Sequence, residues 1–322
     1  MDANRRGRRA QALSAFRPVF LGGMAAAVAV CLWAQSLRSA AKREPAISPQ
    51  PGDTCARLAS ESACREMAAW VSRQLGAACR TIVRPPFVLA GDAEQRELDA
   101  CYREHVLPTV RAMAVEYSDR VVPQQPVTLL LFNDPHRYRQ CARELFGEER
   151  VSSYGCYWPH LRIVLANLSR GPSGLRHELT HALVAFDFPG APDWLGEGLA
   201  SLHEDGRIRA DGSGIEGLVN RRVLTVRDAI RSGGLRPLRR LAEDGGFRGE
   251  GEALCYAHAR YFCLYMQQRG VLAEFYRRFR DHAGEDPSGT GAVAAVFPGC
   301  SWEQIDLYFR LWVMDLPGVE DP

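Results

Sequence analysis

The sequence has no C-x-x-C pair among its ten cysteines, which argues against a zinc knuckle or a thioredoxin-type redox centre. It has no internal repeat. With 322 residues, 46% apolar and 24% charged, it is not a collagen, a coiled coil, a disordered tail or a multi-span membrane protein. Net charge is also small, at +2, and its distribution matters more than its sum. Residues 1–43 hold eight Lys/Arg against the single acid Asp2, leaving 32 basic against 37 acidic residues in the remainder. A mildly acidic body disfavours nucleic acid as a partner. Beyond Gly171, strand-like alternation largely vanishes.

The basic N-terminus precedes a charge-free apolar run, Pro18–Ala34. That order describes an export signal or a single membrane anchor. Seventeen residues are near the minimum for a spanning helix. The small-x-small cleavage candidates are poor, so an uncleaved signal-anchor is the preferred expectation and a cleaved signal the alternative. Either way the Arg cluster keeps the N-terminus cytoplasmic and puts the body in an extracytoplasmic compartment, periplasmic or cell-surface. Nine cysteines after Cys31 then read as disulfide formers with one left over, Cys141–Cys156 being the best pair. Residues 44–53, with Pro45, Pro49 and Pro51, read as a linker.

The expected fold class is α+β. An α/β half spans 54–190, with strands at 87–90, 127–132 and 161–166, the last at a sheet edge. Asp92 is the expected cap of a long helix to about Tyr117, which Pro108 can kink. Asn133-Asp134-Pro135 starts another helix, ending before Gly147. A helical half spans 191–318, with helices near 193–204, 226–242, 254–269, 271–282 and 302–315.

At the junction stands His177-Glu178-Leu179-Thr180-His181, on a helix expected over 173–187 with Ser173 as its cap. Histidines four apart share a helix face, so both can bind one metal ion, with Glu178 beside the first and able to reach a water on that ion. Two imidazoles bind weakly, and a third ligand must follow. Asp187 falls where a metzincin would place its last ligand, but Val184 stands where that pattern needs glycine. Glu197 lies in Trp194-Leu195-Gly196-Glu197-Gly198-Leu199-Ala200, where two poor helix formers flank the carboxylate. His203 and Glu204 read as a solvated helix end without a catalytic role. Asn167-Leu168-Ser169 is a potential sequon.

The H-E-x-x-H helix followed by W-L-x-E-G-L-A resembles the gluzincin zinc metallopeptidases, in particular the peptidase MA-like families, whose pattern carries asparagine where this chain has Gly196. The resemblance implies a zincin-like domain with Zn²⁺ held by His177, His181 and Glu197, and with Glu178 as general base. It implies that Tyr256, or its rival His258, donates to the oxyanion and that the 161–166 strand pairs with an extended peptide or protein substrate. The expected activity is peptide hydrolysis. The alternative is an inactive zinc-containing protein that binds a peptide or an envelope partner. Oligomeric state is not readable.

Overall fold

A computed structural model describes residues 60–244, 247 and 251–318. The expected signal-anchor and linker lie outside the described residues. Among these no helix is long and apolar enough to cross a membrane.

The protein is α+β, built on one mixed sheet of five strands in the order β1-β2-β3-β5-β4. These are β1 (Arg80–Arg84), β2 (Phe87–Gly91), β3 (Val127–Phe132), β4 (Gly155–Trp158) and β5 (Ile163–Asn167). β2, β3 and β5 run parallel, while β1 and β4 are antiparallel to their neighbours. The three parallel strands are buried throughout because both faces are covered. Val88, Ala90, Leu130, Phe132, Ile163 and Leu165 face a smaller core with α1 (Glu61–Leu75) and α4 (Pro135–Phe146). The alternate residues Leu89, Leu129, Leu131, Val164 and Ala166 face a larger core that extends to Val313, so it crosses the boundary between the two halves.

β5 is therefore interior, and the expected edge position belongs to β4. Leu161 and Arg162 look like the start of an alternating strand, but they lie in the β4–β5 turn and the strand begins at Ile163. The long helix is interrupted: α2 (Gln95–Cys101) and α3 (Leu107–Glu116) are joined by a π-helical turn at Tyr102–Val106. Pro108 has no N–H to return to the preceding turn, which accounts for the widening there. Glu94 caps α2 in a capping box. Asp92 instead accepts the backbone N–H groups of Asn133 and Asp134, tying the C-terminal ends of β2 and β3 together.

The second half comprises α5 (Ser173–Asp187), α6 (Asp193–Glu204), a small hairpin of β6 (Arg207–Ile208) and β7 (Ile215–Glu216), then α7 (Arg222–Arg231), α8 (Leu238–Glu243), α9 (Glu252–Gln268), α10 (Leu272–His282), α11 (Thr290–Val296) and α12 (Trp302–Asp315). The helix expected over 226–242 is two, because Gly233 adopts φ 70° and Pro237 opens a new N-terminus. α5 starts behind Pro172, and Ser173 makes no capping bond to the helix backbone. No disulfide joins any described cysteines, including the expected pair Cys141 and Cys156. Cys141 is buried in the core shared with Cys79, on the side where Arg137, one turn earlier, donates to the Ala78 carbonyl at 3.2 Å. The link from α4 to the segment before β4 is instead the Tyr138 hydroxyl, donating to the Ser152 carbonyl.

Candidate metal centre

Two helices build the site. α5 buries Leu175, Leu179 and Leu183 against the sheet, which leaves the face bearing His177 and His181 directed at α6. The chain reverses through Phe188-Pro189-Gly190, and Pro192 sets the N-cap of α6. α6 buries Trp194, Leu195, Leu199 and Leu202 and lies close to α9. A β-carbon on Gly198 would stand 2.8 Å from Cys263 Sγ and 3.0 Å from the Ala259 carbonyl oxygen. Glycine at 198 thus permits the approach that brings its neighbour Glu197 to the histidines.

His177 Nε2 and His181 Nε2 are 3.2 Å apart, and each lies 3.3 Å from Glu197 Oε2. Three donor atoms thus form a nearly equilateral triangle. A tetrahedral ion with bonds of about 2.0–2.1 Å needs ligand atoms roughly 3.3–3.4 Å apart, so the donors are spaced as such an ion requires. Glu197 Oε2 is buried and has no hydrogen-bond partner, which a bound cation would supply. This His/His/Glu group can hold a metal ion.

Electrostatics agree with the spacing. Burial by itself would lower the His177 pKa, but the carboxylates of Glu197 and Glu204 on either side of the ring outweigh it and lift it to about 10. Burial would raise the Glu197 pKa, yet the two imidazoles hold its carboxyl well below the usual carboxylate range. The pocket therefore favours positive charge, which either a proton or a cation can provide. Burial raises the pKa of Glu178 against the opposing pull of His177 and His181. Glu178 packs on β4: a β-carbon on Gly155 would be 2.7 Å from its Cγ. Glycine at 155 makes room for this carboxylate.

Glu204 corrects the expectation that it is a solvated helix end. Its Oε2 accepts from His177 Nδ1 at 2.9 Å, and its Oε1 pairs with Arg222 at 2.9 Å. It thereby fixes the imidazole so that Nε2 points to the centre. Seven residues from Glu197 on one helix, it lies on the same face, a periodicity visible in the sequence. His203 is fully buried, 3.1 Å from the Tyr117 hydroxyl through Nε2 and 3.3 Å from the Thr180 hydroxyl through Nδ1.

Asp187 takes no part in the centre. Both its oxygens accept from Arg280 at 2.9 Å, and Ser118 donates to it at 3.2 Å. Tyr256, half-buried at the start of α9, lines the same cleft as His177, Glu178, His181 and Glu197 and packs on Phe247 with ring centroids 5.0 Å apart. His258 is buried against Phe309, 5.5 Å between centroids, and does not line the cleft. Asn167 is also buried, its amide donating to the Ser153 carbonyl and its Oδ1 accepting from Ser169, so the sequon side chain is already engaged.

The cleft, about 1450 Å³, runs between α5 and β4. The Tyr154 carbonyl accepts from the Asn167 N–H, directing residues 154, 156 and 158 at β5. By antiparallel alternation, Gly155 and Tyr157 then direct their N–H and C=O groups outward along the free edge. No protein-family model matches this chain, and no curated protein shows detectable similarity to it.

Proposed function

We propose that this protein is a zinc-dependent metallopeptidase of the gluzincin kind, with a zincin-like catalytic domain working in an extracytoplasmic compartment. The observation that carries the reading is the triangle of His177, His181 and Glu197 with Glu178 at its side. Zinc bound there supplies a Lewis acid that polarises a carbonyl and lowers the pKa of a water to about 7. Glu178, its proton affinity raised by burial, accepts a proton from the attacking water at its carboxylate and passes it to the leaving amine. The half-buried Tyr256 hydroxyl donates a hydrogen bond to the developing oxyanion. The free edge of β4 aligns an extended peptide through backbone groups alone, which suits a chain-cleaving enzyme. Glu204 and Arg222 hold His177 in register.

A second reading, a zinc-containing peptide-binding protein without turnover, is favoured by Gly196, beside which Nδ1 of His181 makes no hydrogen bond to a described residue. Metal analysis and peptide hydrolysis on the same preparations separate the two. We expect one equivalent of zinc in the wild type, loss of that metal in Glu197→Ala, and a Glu178→Gln variant that keeps zinc while losing hydrolysis by at least about a hundredfold. Stoichiometric zinc with no hydrolysis of any peptide in the wild type would select the second reading. An absence of metal would remove both.

A further inference from the structure

A second cavity of about 290 Å³ adjoins the main cleft, with Tyr157, Pro159 and Ala185 lining both. Its remaining walls are Gln124, Gln125, Arg162 and Phe186. Its electrostatics are set by Arg162. Among the described arginines that are not solvent-exposed, Arg162 alone makes no side-chain hydrogen bond or ion pair, and its Nε is buried without a partner. The others are all engaged: Arg280 by Asp187, Arg260 by the Leu218 carbonyl and Arg227 by the Val313 carbonyl, for example. Burial lowers the Arg162 pKa, opposed only by the nearby Tyr157. A half-buried guanidinium with an unpaired fork of donors is matched by a carboxylate.

The backbone makes the same point. Arg162 has φ 53° and is the only described non-glycine residue in the left-handed region. That conformation suits glycine or asparagine and is unfavourable for a long side chain. Arginine is therefore a poor local choice for this turn, and such choices cluster where the side chain serves a site.

Its place in the turn that follows the edge strand indicates what it meets. Gly155 abuts Glu178, and Tyr157, which lines both cavities, is two residues farther along β4 on the same face, roughly 7 Å away. We propose that Arg162 is a specificity residue, binding a carboxylate of the peptide substrate about two residues to one side of the scissile bond. This rests on the reading of the cleft as a peptide site. The carboxylate is either an acidic side chain or the free C-terminus.

Two measurements on the full chain test it. Zinc-loaded wild type is given peptides that differ only by Glu or Gln at each position flanking the cleaved bond, each with a free or an amidated C-terminus. Binding of the same labelled peptides to Glu178→Gln is followed by fluorescence anisotropy. At one position, two residues from the cleaved bond, we expect Glu to exceed Gln, or a free terminus to exceed its amide, by about tenfold or more in both kcat/KM and affinity. Arg162→Gly, which relaxes the turn and should melt no lower than wild type, is expected to abolish the difference, and Arg162→Lys to retain part of it. Equal handling of charged and neutral peptides by the wild type, or a preference that persists in Arg162→Gly, overturns the inference. Its failure is distinct from failure of the peptidase reading. A wild type that cleaves nothing, while Glu178→Gln still binds acidic peptides through Arg162, removes the peptidase and keeps the carboxylate site; no binding and no cleavage removes both.

Discussion

The two histidines of the centre are supported unequally. His177 is held through Nδ1 by Glu204, itself braced by Arg222, whereas Nδ1 of His181 faces Gly196, where a β-carbon would stand 3.8 Å away. That distance is ordinary contact, so position 196 has space for a side chain able to reach the ring. Groups that orient a metal-bound imidazole are worth about 10- to 100-fold in metal affinity. Glu204→Ala should weaken zinc binding by that order without unfolding the protein, and Gly196→Asn should strengthen it, as read by competition with a chromogenic chelator. Equal affinities across the three proteins would mean that neither partner orients a ligand. That His177 and His181 share one face with Glu178 beside them was legible because spacing alone puts them on adjacent turns, whereas Glu197 was singled out over Asp187 by the W-L-x-E-G-L-A resemblance. Glu204 was dismissed because a charged residue at a helix end is ordinarily solvated, and only the packing of α5 on α6 buries it.

Helices are where local sequence was most readable. α4 has Asp134 accepting from the His136 N–H, Pro135 in its first turn, and Gly147 in a left-handed C-cap, each a local cause recognisable in the chain. α6 cannot be understood that way. Its two glycines lower its intrinsic stability, and Gly198 is explained only by α9 across the interface. Gly198→Ala improves helix propensity yet must push α6 off Cys263 and the Ala259 carbonyl. We expect a net destabilisation of about 1–3 kcal/mol, a lower melting temperature, and weaker zinc binding as Glu197 shifts. A variant at least as stable as wild type would show that the interface yields freely. β5 was misread for the opposite reason: alternation across a turn mimics an edge strand, and which strand lies at the edge is settled by pairing order.

For the molecule as a whole, pH dependence follows from what is buried. His203 and His258 are enclosed as neutral imidazoles, and burial lowers each to about 3 from an ordinary 6.5. The unfolded chain takes up these protons first, so their contribution to stability is complete above pH 6.5 and is lost as pH falls towards 3, at up to about 1.4 kcal/mol per pH unit for each. His177 acts in reverse in the metal-free protein. Raised to about 10, it contributes fully below 6.5 and loses that contribution as pH rises through 10. Denaturant melts in chelator should therefore give maximal stability near neutral pH, with a shallower acid limb in His258→Gln. A flat profile between pH 7 and 5 would contradict the burial of both rings.

The larger core draws on residues from β2 to α12, and at this scale the division between chain and fold is clearest. The sequence by itself determined most of the helices, the central strands and the sharing of one helix face by two imidazoles, because each depends on periodicities of two to four residues that local sterics and burial enforce. Tertiary structure alone decided that Glu197 meets the imidazoles while Asp187 pairs with Arg280, that β4 forms the cleft edge, and that Arg162 is half-buried without a counter-charge. Those outcomes depend on which surfaces approach across the core, and desolvation and charge compensation act on distances that no local pattern encodes.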